Sequence, residues 1–454
     1  MVWIYKMIGT LRLAGLAALA LTGLVATASA EQRSLRGHGG PVRSIAVASD
    51  GLHALTGSFD YSVMFWETAG GAATQVKRFT GHDAAVGVVR FVPRSWFALS
   101  GGDDGALIMW NLHKLEMARK VVAHRAKIAD IAVSRDGRLV ASASWDKTAR
   151  IWSAADLSPR QVLKGHGGGV NAVAFSRDGS ELFTGSQDGK VRAWRVSDGA
   201  LLRIVYDHGW GISLIRALPR DGTLLVGSSD GDALVIDGHS GKLLRRLASH
   251  PRPLLSADFS ARHNLLVTGS GDGKIRVWSM GDWRSLGVFD NPYGPVWALA
   301  IDAEGRGVYY GGLDDDALYW QMKPRKPFET VAVRRLRKPR LAADASPGER
   351  QFVRKCSICH TLDPNDGNRA GPTLHRLFGR RAGTLPGYAY SEALKRSDII
   401  WNEQTIARLF DEGPAQVLPG TKMPMQRMQN SAERSALITY LKRATVAGAG
   451  NARP

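Results

Sequence analysis

Apolar residues between positions 31 and 321 fall in short runs such as SIAVA, SVMFW and GVVRFV, each flanked by turn formers such as SDG, SFD or PRS. Uninterrupted helical periodicity is scarce there and Gly and Trp are frequent, so the pattern predicts many short strands joined by tight turns. The runs also repeat. LRGHGGPVRSIAVASDGLHALTGSFDYSVMFW is followed by FTGHDAAVGVVRFVPRSWFALSGGDDGALIMW and VVAHRAKIADIAVSRDGRLVASASWDKTARIW, and LKGHGGGVNAVAFSRDGSELFTGSQDGKVRAW continues the series. His38, His82, His124, His166, His208 and His250 head six units, spaced 44 residues once and 42 thereafter. An Asp stands 22 residues after each, at Asp60, Asp104, Asp146, Asp188, Asp230 and Asp272; six residues further come Trp66, Trp110, Trp152, Trp194 and Trp278. A seventh unit ends at Trp320. So constant a period marks a repeat architecture, in which each unit buries its apolar face on its neighbours.

These units resemble the WD40 repeat family, and seven of them imply an all-β, seven-bladed propeller over residues 31–321. The resemblance implies that each His, a Ser or Thr of the second strand, the turn Asp and the third-strand Trp form one buried hydrogen-bonded set, since a buried imidazole and carboxylate are tolerable only when paired. The hydroxyl partners would be Thr56, Ser100, Ser142, Thr184 and Thr268. Asp-Gly pairs at 188–189, 230–231 and 272–273 suit two-residue hairpin turns. Two units depart from the pattern. The fifth has Val226 for the hydroxyl and Ile236 for Trp; the seventh has Pro292 for His and Tyr310 for the hydroxyl while keeping Asp314 and Trp320. Apolar packing is expected to replace the lost polar set there. The family's Asp after the repeat Trp is missing: Glu67, Asn111, Ser153, Arg195, Ser279 and Gln321 stand there instead. The segment before His38 is expected to close the ring against the last unit, because a propeller must pair its free edge. With six histidines assigned to these sets, the others outside the CSICH stretch (His53, His113, His239, His263, His375) show no metal-ligand spacing.

After Trp320 the pattern breaks. Residues 322–345 are basic, punctuated by proline and without apolar period, which predicts an exposed linker. Then SPGERQFVRKCSICH reads as a helix capped by Ser346 and Glu349 that enters a ligand loop. Cys356 and Cys359 are the chain's only cysteines. A thioredoxin-type redox pair would need a preceding strand and a following helix. A zinc site would need further Cys or His at fixed spacing, and only His360 is adjacent. C-x-x-C-H is also the attachment signature of c-type haem.

The downstream stretches GPTLHRLFGRRAGTLPGYAYSEALK, IIWNEQTI, LPGTKMPM and SALITYLKRA resemble class I, mitochondrial-type cytochrome c, in order and over nearly all of residues 346–445. The resemblance implies an all-α domain with one covalent haem c, held by thioethers from Cys356 and Cys359. It implies iron ligation by His360 and Met423, with Met425 and Met428 as alternative sulfurs, and orientation of the His360 ring by the carbonyl of Pro372. Arg380, Tyr390, Trp401 and Thr421 match residues around the haem propionates, where donors offset carboxylates in low dielectric. Gly348 and Phe352 match first-helix positions that pack on Leu437 and Tyr440. Leu394 stands where the family has asparagine, and Leu409 or Phe410 where a tyrosine faces the Met side; these changes bear on potential and crevice stability rather than on ligation.

The chain opens with Lys6 and Arg12, the apolar run LAGLAALALTGLVATA and a small-residue site at Ala28-Ser29-Ala30, which reads as a signal peptide over residues 1–30, with an uncleaved membrane anchor as the alternative. Export to the periplasm is therefore expected, with no membrane span in the mature form unless the segment is retained. Of the net charge of +19, residues 322–345 carry +6 and 346–454 carry +7. An exported protein rarely meets nucleic acid, so acidic protein redox partners are the expectation. Residues 446–454 read as a short tail. Together these point to an exported electron carrier whose propeller docks a partner. The alternative is a periplasmic propeller oxidoreductase whose cytochrome drains or supplies electrons.

Overall fold

The computed structural model of the protein describes residues 30–322 and 344–445, apart from 70, 71, 221, 293, 358, 365–370, 389, 391, 419, 420, 422, 424–426 and 429. The signal segment up to residue 29, most of the basic linker, the tail and Met425 lie outside them. Among the described residues no helix is long and apolar enough to cross a membrane.

The short apolar runs form seven four-stranded antiparallel sheets. Blade one is typical, with strands Val42–Val47, His53–Ser58, Ser62–Glu67 and Thr74–Thr80. Its three inner strands are largely buried and its outer strand is largely exposed. Apolar clusters bridge consecutive blades: Leu55, Phe65 and Phe79 of blade one pack with Val86, Val89 and Trp110 of blade two. Each such side chain contributes about 1.5–3 kcal/mol when fully buried, and a large part of each cluster belongs to the neighbour, so a single blade could not hold its shape alone. The ring closes as expected. Blade seven takes three strands from residues 298–321 and its fourth from Leu35–Arg36, with Leu35 opposite Ala317.

In blades one, two, three and six the polar set forms in full. In blade one His38 Nδ1 meets Asp60 at 3.0 Å, while Thr56 Oγ1 joins His38 Nε2 at 2.6 Å and accepts from Trp66 Nε1 at 2.8 Å. Blade four differs from the expectation. His166 keeps Thr184 at 2.9 Å, but its Nδ1 faces the Lys147 carbonyl at 3.2 Å, because Arg192 holds Asp188 at 2.8 Å and the Gly167 N–H also donates to it. Blade five differs more. His208 turns Nε2 to Asp232 at 3.3 Å instead of pairing with Asp230, which bonds Ser228. With Val226 in place of the hydroxyl the ring has lost one polar neighbour, and Val226 and Ile236 pack into the apolar core. In blade seven Tyr310 and Trp320 likewise pack around Phe289, with Trp320 stacked on it at 4.8 Å.

Six helices complete the described elements: α1 (Ala30–Arg33), a single turn before the ring, then α2 (Pro347–Lys355), α3 (Glu392–Lys395), α4 (Glu403–Asp411), α5 (Pro414–Val417) and α6 (Ser431–Ala444). Ser346 Oγ caps α2 by accepting from Glu349 N at 3.2 Å. Helices α2 and α6 cross where Gly348 sits against Ala436 and Tyr440, and Phe352 meets the Tyr440 ring at 5.7 Å. The second core follows from this crossing: Phe352, Val353, Ile406, Phe410, Leu437 and Leu441 pack together with Cys356.

Candidate functional site

Helix α2 ends at Cys356, and the chain turns tightly there. His360 N donates to the Cys356 carbonyl at 2.8 Å, Cys359 N to the same carbonyl at 3.0 Å, and Gly371 N to the Cys359 carbonyl at 2.7 Å. Cys356, Cys359 and His360 are thereby brought to one wall of a cavity of about 1130 Å³, part of it open to solvent. The two cysteines are not joined in a disulfide. Burial pushes the Cys356 thiol up to about 12, with Cys359 beside it adding to the rise.

The Pro372 carbonyl lies 2.8 Å from His360 Nδ1. That bond places the proton on Nδ1 and leaves Nε2 as the lone-pair nitrogen, the form in which imidazole ligates a metal. Gly371 permits the approach: a Cβ there would stand 2.6 Å from His360 Nδ1 and 2.8 Å from Nε2. Met423 and Thr421, whose hydroxyl accepts from Met423 N at 3.1 Å, also line the cavity. Met428 is elsewhere. It is buried in the α2–α6 core and its backbone N–H bonds Phe410 O at 2.8 Å.

Arg380, Tyr390 and Trp401 line the remaining wall. An isolated bridge between Arg381 and Ile400, with Trp401 N donating to Arg380 O at 3.0 Å, fixes Arg380 beside Trp401. Arg380 donates to the carbonyls of Thr373 at 2.8 Å and His375 at 3.0 Å. A guanidinium carries five N–H donors, so these bonds do not exhaust it. Burial lowers its pKa, with Tyr390 opposing. All nine residues singled out from the sequence as cofactor-binding, from Cys356 to Met423, line this one cavity. Leu394, Leu409 and Phe410, the three departures, line it too. The lining residues that were not anticipated include Tyr388 and Tyr61. Tyr388 lies in the quoted GYAY stretch and packs edge-on to Tyr390 at 4.7 Å, which the sequence could have suggested. Tyr61 belongs to blade one, and no local signal connects it to the cavity.

A largely apolar group that attaches through two thiols and takes an imidazole nitrogen would find Cys356, Cys359 and His360 in this lining, with apolar walls around them. The haem c expected from the sequence therefore fits the residues present.

The propeller holds two other charged clusters. In its central channel Asp130 is bound by Arg90 at 2.8 Å and Arg216 at 3.2 Å. In blade five His208, Asp230 and Asp232 lie within 4.8 Å of one another, but Arg246 and Ser249 already bind Asp232 and Ser228 binds Asp230, so a guanidinium supplies the positive charge.

Comparison with known proteins agrees with both halves. Residues 345–445 match the family model for cytochrome c. Five segments, 29–67, 73–111, 116–153, 157–195 and 241–279, match the model for the WD domain, G-beta repeat. The unmatched stretches include the strands bearing Val226 and Ile236 in blade five and Tyr310 in blade seven, where the polar set is broken. Curated relatives include the cytochromes c of Sesamum indicum, 45% identical over 104 residues (22% of this chain, 91% of the relative), Nigella damascena, 41% over 106 residues (23% and 93%), and Arabidopsis thaliana, 40% over 105 residues (23% and 93%).

Proposed function

Because the chain belongs to the cytochrome c family through its C-terminal region, with a WD40 propeller ahead of it, we propose that it is an exported electron carrier with a His360/Met423-ligated haem, and that the propeller docks a redox partner. The haem supplies reversible one-electron chemistry without an open site for substrate. The chain's residues do the rest. Cys356 and Cys359 anchor the group covalently, and the Pro372 carbonyl holds His360 in one tautomer and one ring orientation. The apolar wall of Leu377, Leu394, Leu409 and Phe410 excludes water, which limits reorganisation on electron transfer. Arg380, Tyr390, Trp401 and Thr421 supply donors toward the propionate side. The observation that carries the reading is the convergence of Cys356, Cys359, His360, Pro372 and Met423 on one cavity.

The propeller reads as a platform because its recognisable polar groups are spent on its own structure, in the His–hydroxyl–Trp sets and in the Arg90–Asp130–Arg216 channel network. Segment 1–30 would direct export, residues 322–345 would tether the two domains, and the basic charge of the C-terminal third would favour acidic partners.

Met423→His tests the ligation. Thioether sulfur favours Fe(II) relative to a second imidazole. The variant should keep its haem, since both cysteines are untouched, while the midpoint potential falls and the weak near-infrared sulfur-to-iron band of the oxidised protein disappears. Survival of the band in Met423→His would overturn the assignment.

A further inference from the structure

The turns after the repeat aspartates share one backbone shape, with a positive φ at the following residue. Glycine fills that position in blades two, four, five and six, with φ of +71° at Gly105, +83° at Gly189, +101° at Gly231 and +81° at Gly273. Blade three has Lys147 at φ 69° and blade one has Tyr61 at φ 67°. The left-handed conformation costs an L residue roughly 1–2 kcal/mol and is unusual for a bulky side chain. Strain of this kind persists where surrounding structure holds it and concentrates at functional sites. The neighbours of Tyr61 suggest what it does.

Tyr61 lines the same cavity as Cys359, His360 and Tyr388, and among the described residues of the propeller it alone does so. The proximity is mutual. Desolvation raises the phenol pKa of both Tyr61 and Tyr388; Cys359 and Tyr388 act on Tyr61, and Asp60, the residue before Tyr61, acts on Tyr388. The blade-one turn therefore stands at the cavity on the side of Cys359 and the Tyr388–Tyr390 pair.

We infer that Tyr61 seals the haem crevice: the chain's own propeller covers the cofactor edge beside Cys359, and an external redox partner reaches that edge only when the two domains part. This rests on the reading of the cavity as a haem site. Covering an edge removes water from it, and burial is one of the levers that sets haem potential. It also blocks a route for electrons, so exchange with external agents becomes gated by domain separation. The strained turn is then explained, since glycine would give the same backbone without the seal.

The test uses full-length holoprotein and Tyr61→Gly, a substitution that suits the turn's backbone. Reduction of the oxidised haem by ascorbate should accelerate at least about threefold, the midpoint potential should fall, and amide hydrogen exchange at Gly387 and Tyr388 should rise. Tyr61→Phe should behave as wild type, because the seal needs the ring rather than the hydroxyl. Lys147→Gly, the matching change in blade three, should alter none of the three readouts. Wild-type reduction rate and exchange in Tyr61→Gly would overturn the seal. The exchange measurement does not depend on haem, so protein lacking the cofactor would refute the haem reading while still reporting whether Tyr61 shields Gly387 and Tyr388.

Discussion

His166 shows how one residue's partners set its response to pH. Where other repeat histidines face a carboxylate, its Nδ1 meets the Lys147 carbonyl, and Arg192 lies close by. Desolvation first, and the Arg192 charge second, lower its pKa from 6.5 to about 4. Desolvation also lowers His124 and His250, against the opposing effect of their aspartates. The unfolded chain binds these protons more readily than the folded one, so stability falls as pH drops from 6.5 toward 4. For His166 the loss at pH 4 is on the order of 3 kcal/mol. Only below that do carboxylates such as Asp146 and Asp188, both lowered to about 2, begin to lose their own contribution. Denaturant midpoints of the propeller, followed by tryptophan fluorescence, should decline across pH 6.5–4. In His166→Asn the decline should be shallower, although the variant starts less stable; an unchanged slope would show that His166 does not carry it. The His–Asp–Trp spacing was legible in the sequence, but the Lys147 carbonyl as a partner was not, because it depends on Arg192 having already taken Asp188.

At the scale of elements the decisive contact is the α2–α6 crossing. A Cβ on Gly348 would stand 2.6 Å from the Tyr440 Cβ and closer still to the Ala436 carbonyl, which is fixed backbone. Gly→Ala inside a helix gains about 1 kcal/mol from propensity, whereas forcing helices apart costs about 1–3 kcal/mol. Gly348→Val carries more bulk and little of the propensity gain, so overpacking wins. Its thermal transition, followed at the haem absorption, should fall by about 4–8 °C for each kcal/mol lost in a domain of this size. An unchanged transition would mean that the crossing is loose. This element was readable in advance. Ser346 as cap is a feature of local pattern, whereas Gly348 and Phe352 packing on Leu437 and Tyr440 was implied by the resemblance to class I cytochrome c. Choosing between Met423 and Met428 was harder, since both follow the same stretch; the fold puts Met423 at the cavity and buries Met428 under Phe410.

For the whole molecule the uneven charge matters most. Residues 322–345 carry +6 and residues 346–454 carry +7, against +19 for the chain. Charges of one sign act on a partner over about 8 Å at physiological ionic strength. If the partner is acidic, the bimolecular rate of electron exchange with it should fall steeply between low and high salt, by tenfold or more, as for other steered encounters. A rate flat across that range would remove basic steering from the account. The Tyr61 seal acts in series with this step, since steering brings the partner near and domain separation admits it.

The sequence by itself determined what depends on neighbours along the chain or on a fixed period. The blades follow from short apolar runs repeating every 42 residues, which bury themselves only by stacking. The haem-attachment loop follows from C-x-x-C-H, whose chemistry is complete within five residues. The tertiary structure alone decided where two distant segments compete for one partner or meet across the molecule. His208 takes Asp232 because Val226 offers no hydroxyl and Arg246 draws that carboxylate inward. Tyr61 reaches the cofactor cavity because the propeller places the blade-one turn there. Such contacts have no period and no local spacing. Their energies come from desolvation and pairing between surfaces that exist only once both domains have folded.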